Sequence, residues 1–145
     1  MHRDLKEIDS LRARLGTVFA RRGDIVAVYL FGSHASAEET ARSDIDLGVI
    51  YREDCELMAE LTLEAEICRV LGTERLDLVN LNKARIGLQF RAIQSGDVIY
   101  CADDLARADF VEMVLDRYGD YGLDMHLLAR DFLAGLKEAN SHGRS

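Results

Sequence analysis

Seven apolar residues in a row, Ile25–Phe31, run into a Gly32-Ser33 turn, and after ten further residues Asp44 and Asp46 alternate with Ile45, Leu47 and Val49. A continuous apolar run of this length, rich in β-branched and aromatic side chains, suits a strand buried on both faces. The alternating run over residues 43–50 suits a second strand, with Ile45, Leu47 and Val49 on one face and Asp44 and Asp46 on the other. The chain is thereby committed to a sheet that carries a glycine turn and paired carboxylates at one place.

Each end of this stretch points to phosphate chemistry. Glycine lets the backbone approach a ligand closely, and the Ser33 hydroxyl with local N–H groups bonds phosphate oxygens. Residues 35–41 are good helix formers, so the turn is expected to open a short helix whose N-terminus faces an anion. By strand rise, Asp44 and Asp46 stand about 6.6 Å apart along the chain on one face. Aspartate is disfavoured in strands, and like charges on one face repel. Mg²⁺ offsets that repulsion, because it takes carboxylate oxygens together with substrate phosphates. A third carboxylate is wanted on a neighbouring strand. Residues 75–81 alternate, with Leu76, Leu78 and Asn80 on one face and Asp77, Val79 and Leu81 on the other. Asp77 is the acidic residue inside that strand, placed to hold the catalytic ion and accept the proton of an attacking group.

These residues resemble the minimal nucleotidyltransferase (MNT) family, within the DNA polymerase β-like nucleotidyltransferase superfamily. That family's pattern is Gly-Ser, ten residues, Asp-x-Asp, then a later strand aspartate; here these are Gly32, Ser33, Asp44, Asp46 and Asp77. Residues 86–100, with Phe90, Ile93, Gly96, Ile99 and Tyr100, look like the family's helix, turn and short strand, and the C-terminal helix also fits. The resemblance implies a polymerase β palm-like fold, with two Mg²⁺ ions held by Asp44, Asp46 and Asp77 and the outer phosphates of ATP on Gly32 and Ser33. Chains of this size resemble the antitoxins of HEPN–MNT toxin–antitoxin pairs, which are implied to transfer AMP from ATP to a tyrosine of the partner HEPN RNase toxin. Many relatives carry Ala-Arg-Gly after the Gly-Ser motif, whereas this chain has Ala35-Ser36-Ala37. Arg42 is the candidate for supplying the missing positive charge. Two other functions stand beside this one: transfer to a small molecule of the aminoglycoside kind, and neutralisation of a toxin by binding alone.

The rest of the chain sets limits. Its 145 residues suit one domain, residues 1–138 with a tail at 139–145, and a hydrophobic share of 48% supplies a core. A net charge of −8 without a basic stripe argues against direct nucleic-acid binding and suits a basic protein partner. Cys55, Cys68 and Cys101 lack metal-ligand spacing, with Cys68 on an apolar helix stripe. Residues 1–7 carry charges in place of an apolar signal, and no segment suits a membrane, so a cytoplasmic setting is expected.

The expected fold class is α/β (α+β), a small mixed sheet with flanking helices. Leu5, Ile8, Leu11, Leu15, Val18 and Phe19 form a first amphipathic helix. Asp54 is expected to cap a second, with Leu57, Met58, Leu61, Ala65, Cys68 and Leu71 inward and Gly72 after its end. Ile86, Phe90 and Ile93 mark a third, ended at Ser95-Gly96. Over residues 103–137, Leu105, Ala108, Val111, Leu115 and Tyr118 begin a stripe that continues through Met125, Leu128, Phe132 and Leu136. Unbroken, it would span roughly 52 Å, unless Gly119 and Gly122 split it into two antiparallel helices; its second half is expected to pack on the domain or to dock a partner or second copy. His34, Arg107 and Arg130 are expected at the surface, and Tyr100, Tyr118 and Tyr121 in packing.

Overall fold

The computed structural model describes residues 5–31 and 45–120. The expected short helix at 35–41 and the stripe beyond Asp120 lie outside the described residues, as do His34, Tyr121 and Arg130. In chain order the elements are α1 (Leu5–Ala20), β1 (Ile25–Phe31), β2 (Ile45–Tyr51), α2 (Leu57–Leu71), β3 (Leu76–Asn80), α3 (Ile86–Ser95), β4 (Asp97–Cys101) and α4 (Asp104–Asp120). This is the mixed α/β architecture expected from the sequence.

The four strands lie in the order β3-β2-β1-β4. β1 is central and antiparallel to both β2 and β4, while β2 and β3 run parallel. The topology explains the composition of β1: every one of its residues is buried, because helices cover both faces of the sheet. On one face, Ile8, Leu11, Leu15, Val18 and Phe19 of α1 and Leu63 and Ile67 of α2 pack on Val28, Leu30, Leu47 and Val49. On the other, Phe90 of α3 and Phe110 and Val114 of α4 pack on Tyr29, Phe31, Ile50 and Leu81. The alternation read in β2 and β3 holds, with Leu47, Val49 and Leu78 on the α1/α2 side and Ile50, Val79 and Leu81 on the α3/α4 side.

Three expectations are corrected. Asp54 does not cap α2: Glu56 is the N-cap, in extended backbone and without a side-chain cap bond. Cys55 is buried beside Arg22, which moves the helix start past Asp54. The inward face of α2 is also different. Leu63 and Ile67 are buried, with Cys68 and Leu71 partly so, whereas Leu57, Met58 and Leu61 remain 68%, 69% and 47% exposed. Both stripes have helical spacing, and the sheet accepts the one carrying the β-branched Ile67. In α4, Phe110, Val114 and Tyr118 make the packed face, and Leu105 is 80% exposed. Tyr118, which the expected stripe and the packed face share, stacks on Phe90 of α3 with centroids 4.0 Å apart. Elsewhere Gly72 ends α2 in the left-handed conformation at φ 71°, donating to the Cys68 carbonyl as the helix-end pattern predicts.

Gly48 of β2 allows a close approach between two layers. A Cβ at this position would lie 2.9 Å from Cγ and Cδ1 of Leu81, which is itself fully buried. The missing side chain lets Leu81 lie flat on β2. Gly48→Val is expected to lower unfolding stability by about 1–3 kcal/mol through overpacking, read as a reduced denaturation midpoint; an unchanged midpoint would mean that Leu81 moves aside freely.

Candidate active site

Asp46 lies near the start of β2 and is 4% exposed. Its neighbour across the antiparallel pair is Phe31, the last residue of β1, and across the parallel pair it is Asp77 of β3. Directly opposed residues on adjacent strands share a face, and the strands lie about 4.8 Å apart. The chain therefore holds two carboxylates side by side, one buried and one open to solvent, where β1 ends and β2 and β3 begin. Cations of the Mg²⁺ type bind through hard carboxylate oxygens of this kind.

The electrostatics carry the same mark. The Asp77 carboxyl is pushed above the ordinary aspartate range, first by partial burial and then by the charge of Asp46. Asp77 is nevertheless an exposed residue, so solvent screens much of this effect. A positive ion between the carboxylates would reverse the repulsion, which is how the donor set fits a divalent cation.

Holding Asp77 against Asp46 falls to residues at the far end of β3. Leu81 donates its N–H to the Val49 carbonyl at 2.9 Å. The Asn82 side chain then takes the place of a further strand residue: Oδ1 accepts from the Tyr51 N–H at 2.7 Å, and Nδ2 donates to the Tyr51 carbonyl at 2.9 Å. Gln89 of α3, fully buried, donates from Nε2 to the Leu81 carbonyl at 2.6 Å. Asn80 donates to Glu60 of α2 at 2.9 Å. Sequence reading missed Asn82, Gln89 and Gly48 as supports. The available signal was an Asn-x-Asn run directly after an alternating strand, a common place for side chains that cap backbone.

Of the residues singled out for chemistry, the structure brings together Asp46 and Asp77. Gly32, Ser33, Arg42 and Asp44 lie outside the described residues, and among those described no group of three acidic, histidine or cysteine side chains converges on a metal-sized site. Arg107 departs from its expected surface role: it is half-buried and donates to the Tyr29 hydroxyl at 3.2 Å. Tyr100 packs against Phe19, as expected. Among the described residues no helix is long and apolar enough to cross a membrane.

A carboxyl whose folded-state pKa is raised binds its proton more tightly in the native state. Its contribution to stability therefore falls as pH rises through the window above the unfolded value. Asp77→Asn removes that penalty. In metal-free buffer the variant is expected to melt higher than the parent at pH 7, with the gap closing below the carboxylate range. A gap of the opposite sign at pH 7 would show that the Asp77 charge is favourably partnered.

Residues 14–105 match the family described as Polymerase beta, Nucleotidyltransferase. That match covers well over half of the chain, which therefore belongs to the polymerase β nucleotidyltransferase family. No curated protein matches it. Among solved structures, the chain shares its fold with the toxin–antitoxin MntA-HepT: identity is 18%, the alignment covers 86% of this chain and 97% of the other, and the TM-score is 0.63. A complex of tri-AMPylated Shewanella oneidensis HEPN toxin with MNT antitoxin aligns at 18% identity over 87% of this chain and 98% of the other, with a TM-score of 0.64. A toxin–antitoxin structure with AMP-PNP gives 19% identity, 84% and 98% coverage, and a TM-score of 0.63.

Proposed function

We propose that this member of the polymerase β nucleotidyltransferase family is an antitoxin-type protein adenylyltransferase. It would move AMP from ATP to a tyrosine hydroxyl of a partner HEPN RNase toxin and release pyrophosphate. The observation that carries the reading is the buried Asp46 carboxylate paired in register with Asp77. A solved structure of the same fold that pairs an MNT antitoxin with a tri-AMPylated HEPN toxin supports the choice of acceptor. The AMP-PNP complex supports ATP as donor.

In this reading Gly32 and Ser33 take the outer phosphates, with Arg42 adding positive charge nearby. Asp44, Asp46 and Asp77 would hold Mg²⁺ as two ions, which supply charge neutralisation at the phosphates and the departing pyrophosphate. The chain's own work is placement. The tyrosine oxygen attacks the α-phosphorus in line, the bond from that phosphorus to the β-phosphate bridging oxygen breaks, and the hydroxyl proton passes to the Asp77 carboxylate. Most of the acceleration then comes from orientation and fixed charge. The acidic chain suits a basic partner surface, and the reading places the protein in the cytoplasm, without direct contact to nucleic acid or membrane.

Intact-mass spectrometry tests this directly. The chain is incubated with ATP, Mg²⁺ and the protein encoded beside it, with Asp46→Asn as control. The expected result is a gain of AMP units on the partner, slowed by about 10³-fold or more in the variant. A stable complex without mass gain would favour neutralisation by binding alone, in keeping with Ser36 standing where relatives carry arginine. Neither gain nor complex would direct attention to small-molecule acceptors.

A further inference from the structure

Leu81 follows the last residue of β3, and its side chain leans back toward the paired carboxylates. Asn80 is in register with Val49, which brings Leu81 level with Ile50. The side chain nevertheless reaches Gly48, on the Asp46 side of Ile50, where a Cβ would meet Leu81 Cγ at 2.9 Å. Gly48 and Asp46 share a face of β2, about 6.6 Å apart by strand rise. Val79, level with Gly48, and Asp77, level with Asp46, share the matching face of β3. The fully buried Leu81 therefore fills the apolar floor beside the carboxylates. Its main chain is held by Gln89: the Leu81 carbonyl accepts from Gln89 Nε2 at 2.6 Å, while its bond from the Ala84 N–H is long at 3.4 Å. Gln89 is fully buried, and its Oε1 is enclosed without a partner among the described residues. An amide in this place gains one hydrogen bond and leaves one acceptor unsatisfied, a balance that adds little to stability. A methionine of similar shape would lose the bond and the orphaned acceptor together. Buried polar groups are retained in some proteins because they specify an arrangement rather than stabilise it.

We infer that Gln89 is a positioning residue for the Asp46–Asp77 pair, acting through Leu81, whose side chain over Gly48 keeps the two carboxylates at the spacing a divalent cation needs. The inference rests on the metal-dependent adenylyl-transfer reading and deepens it. Helix α3 carries none of the proposed ligands, yet one hydrogen bond from it sets the affinity of the site. Without that bond the turn after β3 loses its short contact to α3, Leu81 is free to shift in its place over Gly48, and the carboxylates lose the packed floor that fixes their separation. Groups that orient metal ligands from behind in this way typically change metal affinity by about 10–100-fold when removed.

Mn²⁺ binding followed by electron paramagnetic resonance, with a non-hydrolysable ATP analogue present, and thermal unfolding of the metal-free chain together provide the test. Gln89→Met should unfold at a temperature close to the parent's and bind Mn²⁺ about tenfold more weakly. Gly48→Ala, which drives Leu81 aside, should weaken binding in the same direction. The double variant should lose no more than the worse of the two single ones, because both act on Leu81. This cycle reads affinity, so it decides even where a substitution lowers the unfolding temperature. Parent-like binding by Gln89→Met, or losses that add in the double variant, would overturn the inference and leave Gln89 a packing residue. A Gln89→Met chain that does not fold would overturn it too, because the amide would then serve the fold. These outcomes leave the adenylyl-transfer reading standing. A parent chain without saturable Mn²⁺ binding would instead remove that reading's metal site, and the inference with it.

Discussion

Parallel pairing of β2 with β3 sets Asp46 and Asp77 at one register on one face, and the site exists only while that register holds against the repulsion of its own two charges. Like charges directly opposed in a sheet destabilise it by about 0.2–1 kcal/mol. The opposing contribution comes from the other end of the same strand pair. There the Asn82 amide brackets the Tyr51 backbone, Gln89 holds the Leu81 carbonyl, and the Leu81 side chain lies over Gly48. A slip of one residue would bring Leu78 into the place of Asp77 and turn every side chain of β3 to the wrong face. Register is thus set where no chemistry occurs and used where it does.

The two hydrophobic layers make this arrangement possible. Because helices cover both faces, β1 is buried along its whole length and serves as a rigid centre for the sheet. Burial of Asp46 beside Phe31 and the upward push on the Asp77 carboxyl have one origin: charge held in a place that disfavours it. Charge held at such cost is characteristic of functional sites. A fold with a less complete core would let the strand ends splay and relieve the repulsion.

Much of this was legible in the sequence, for identifiable reasons. A period of two is unambiguous when polar and apolar residues alternate strictly, so the faces of Asp46 and Asp77 followed from Ile45, Leu47 and Val49 and from Leu76 and Leu78. The end of α3 followed from apolar spacing and glycine. Rotation of α2 and α4 did not follow, because each carries two stripes of helical period. In α2 the Leu57-Leu61-Ala65 stripe reads as strongly as the Leu63-Ile67 stripe that the sheet buries. In α4 the packed face is set by Phe110 and Val114 meeting α3 and the sheet, contacts between residues far apart in the chain that no local pattern encodes. Gly48 was illegible for the same reason, since it meets Leu81, a residue distant in sequence, whereas Asn82 left a signal in the Asn-x-Asn run.

The central claim is that Asp46 and Asp77 form one cation-binding face. Mn²⁺ binding followed by electron paramagnetic resonance, in the presence of a non-hydrolysable ATP analogue, tests it most directly on the parent chain, Asp46→Asn and Asp77→Asn. The account predicts saturable binding by the parent, weakened at least about tenfold by either substitution. Equal binding by all three would contradict it.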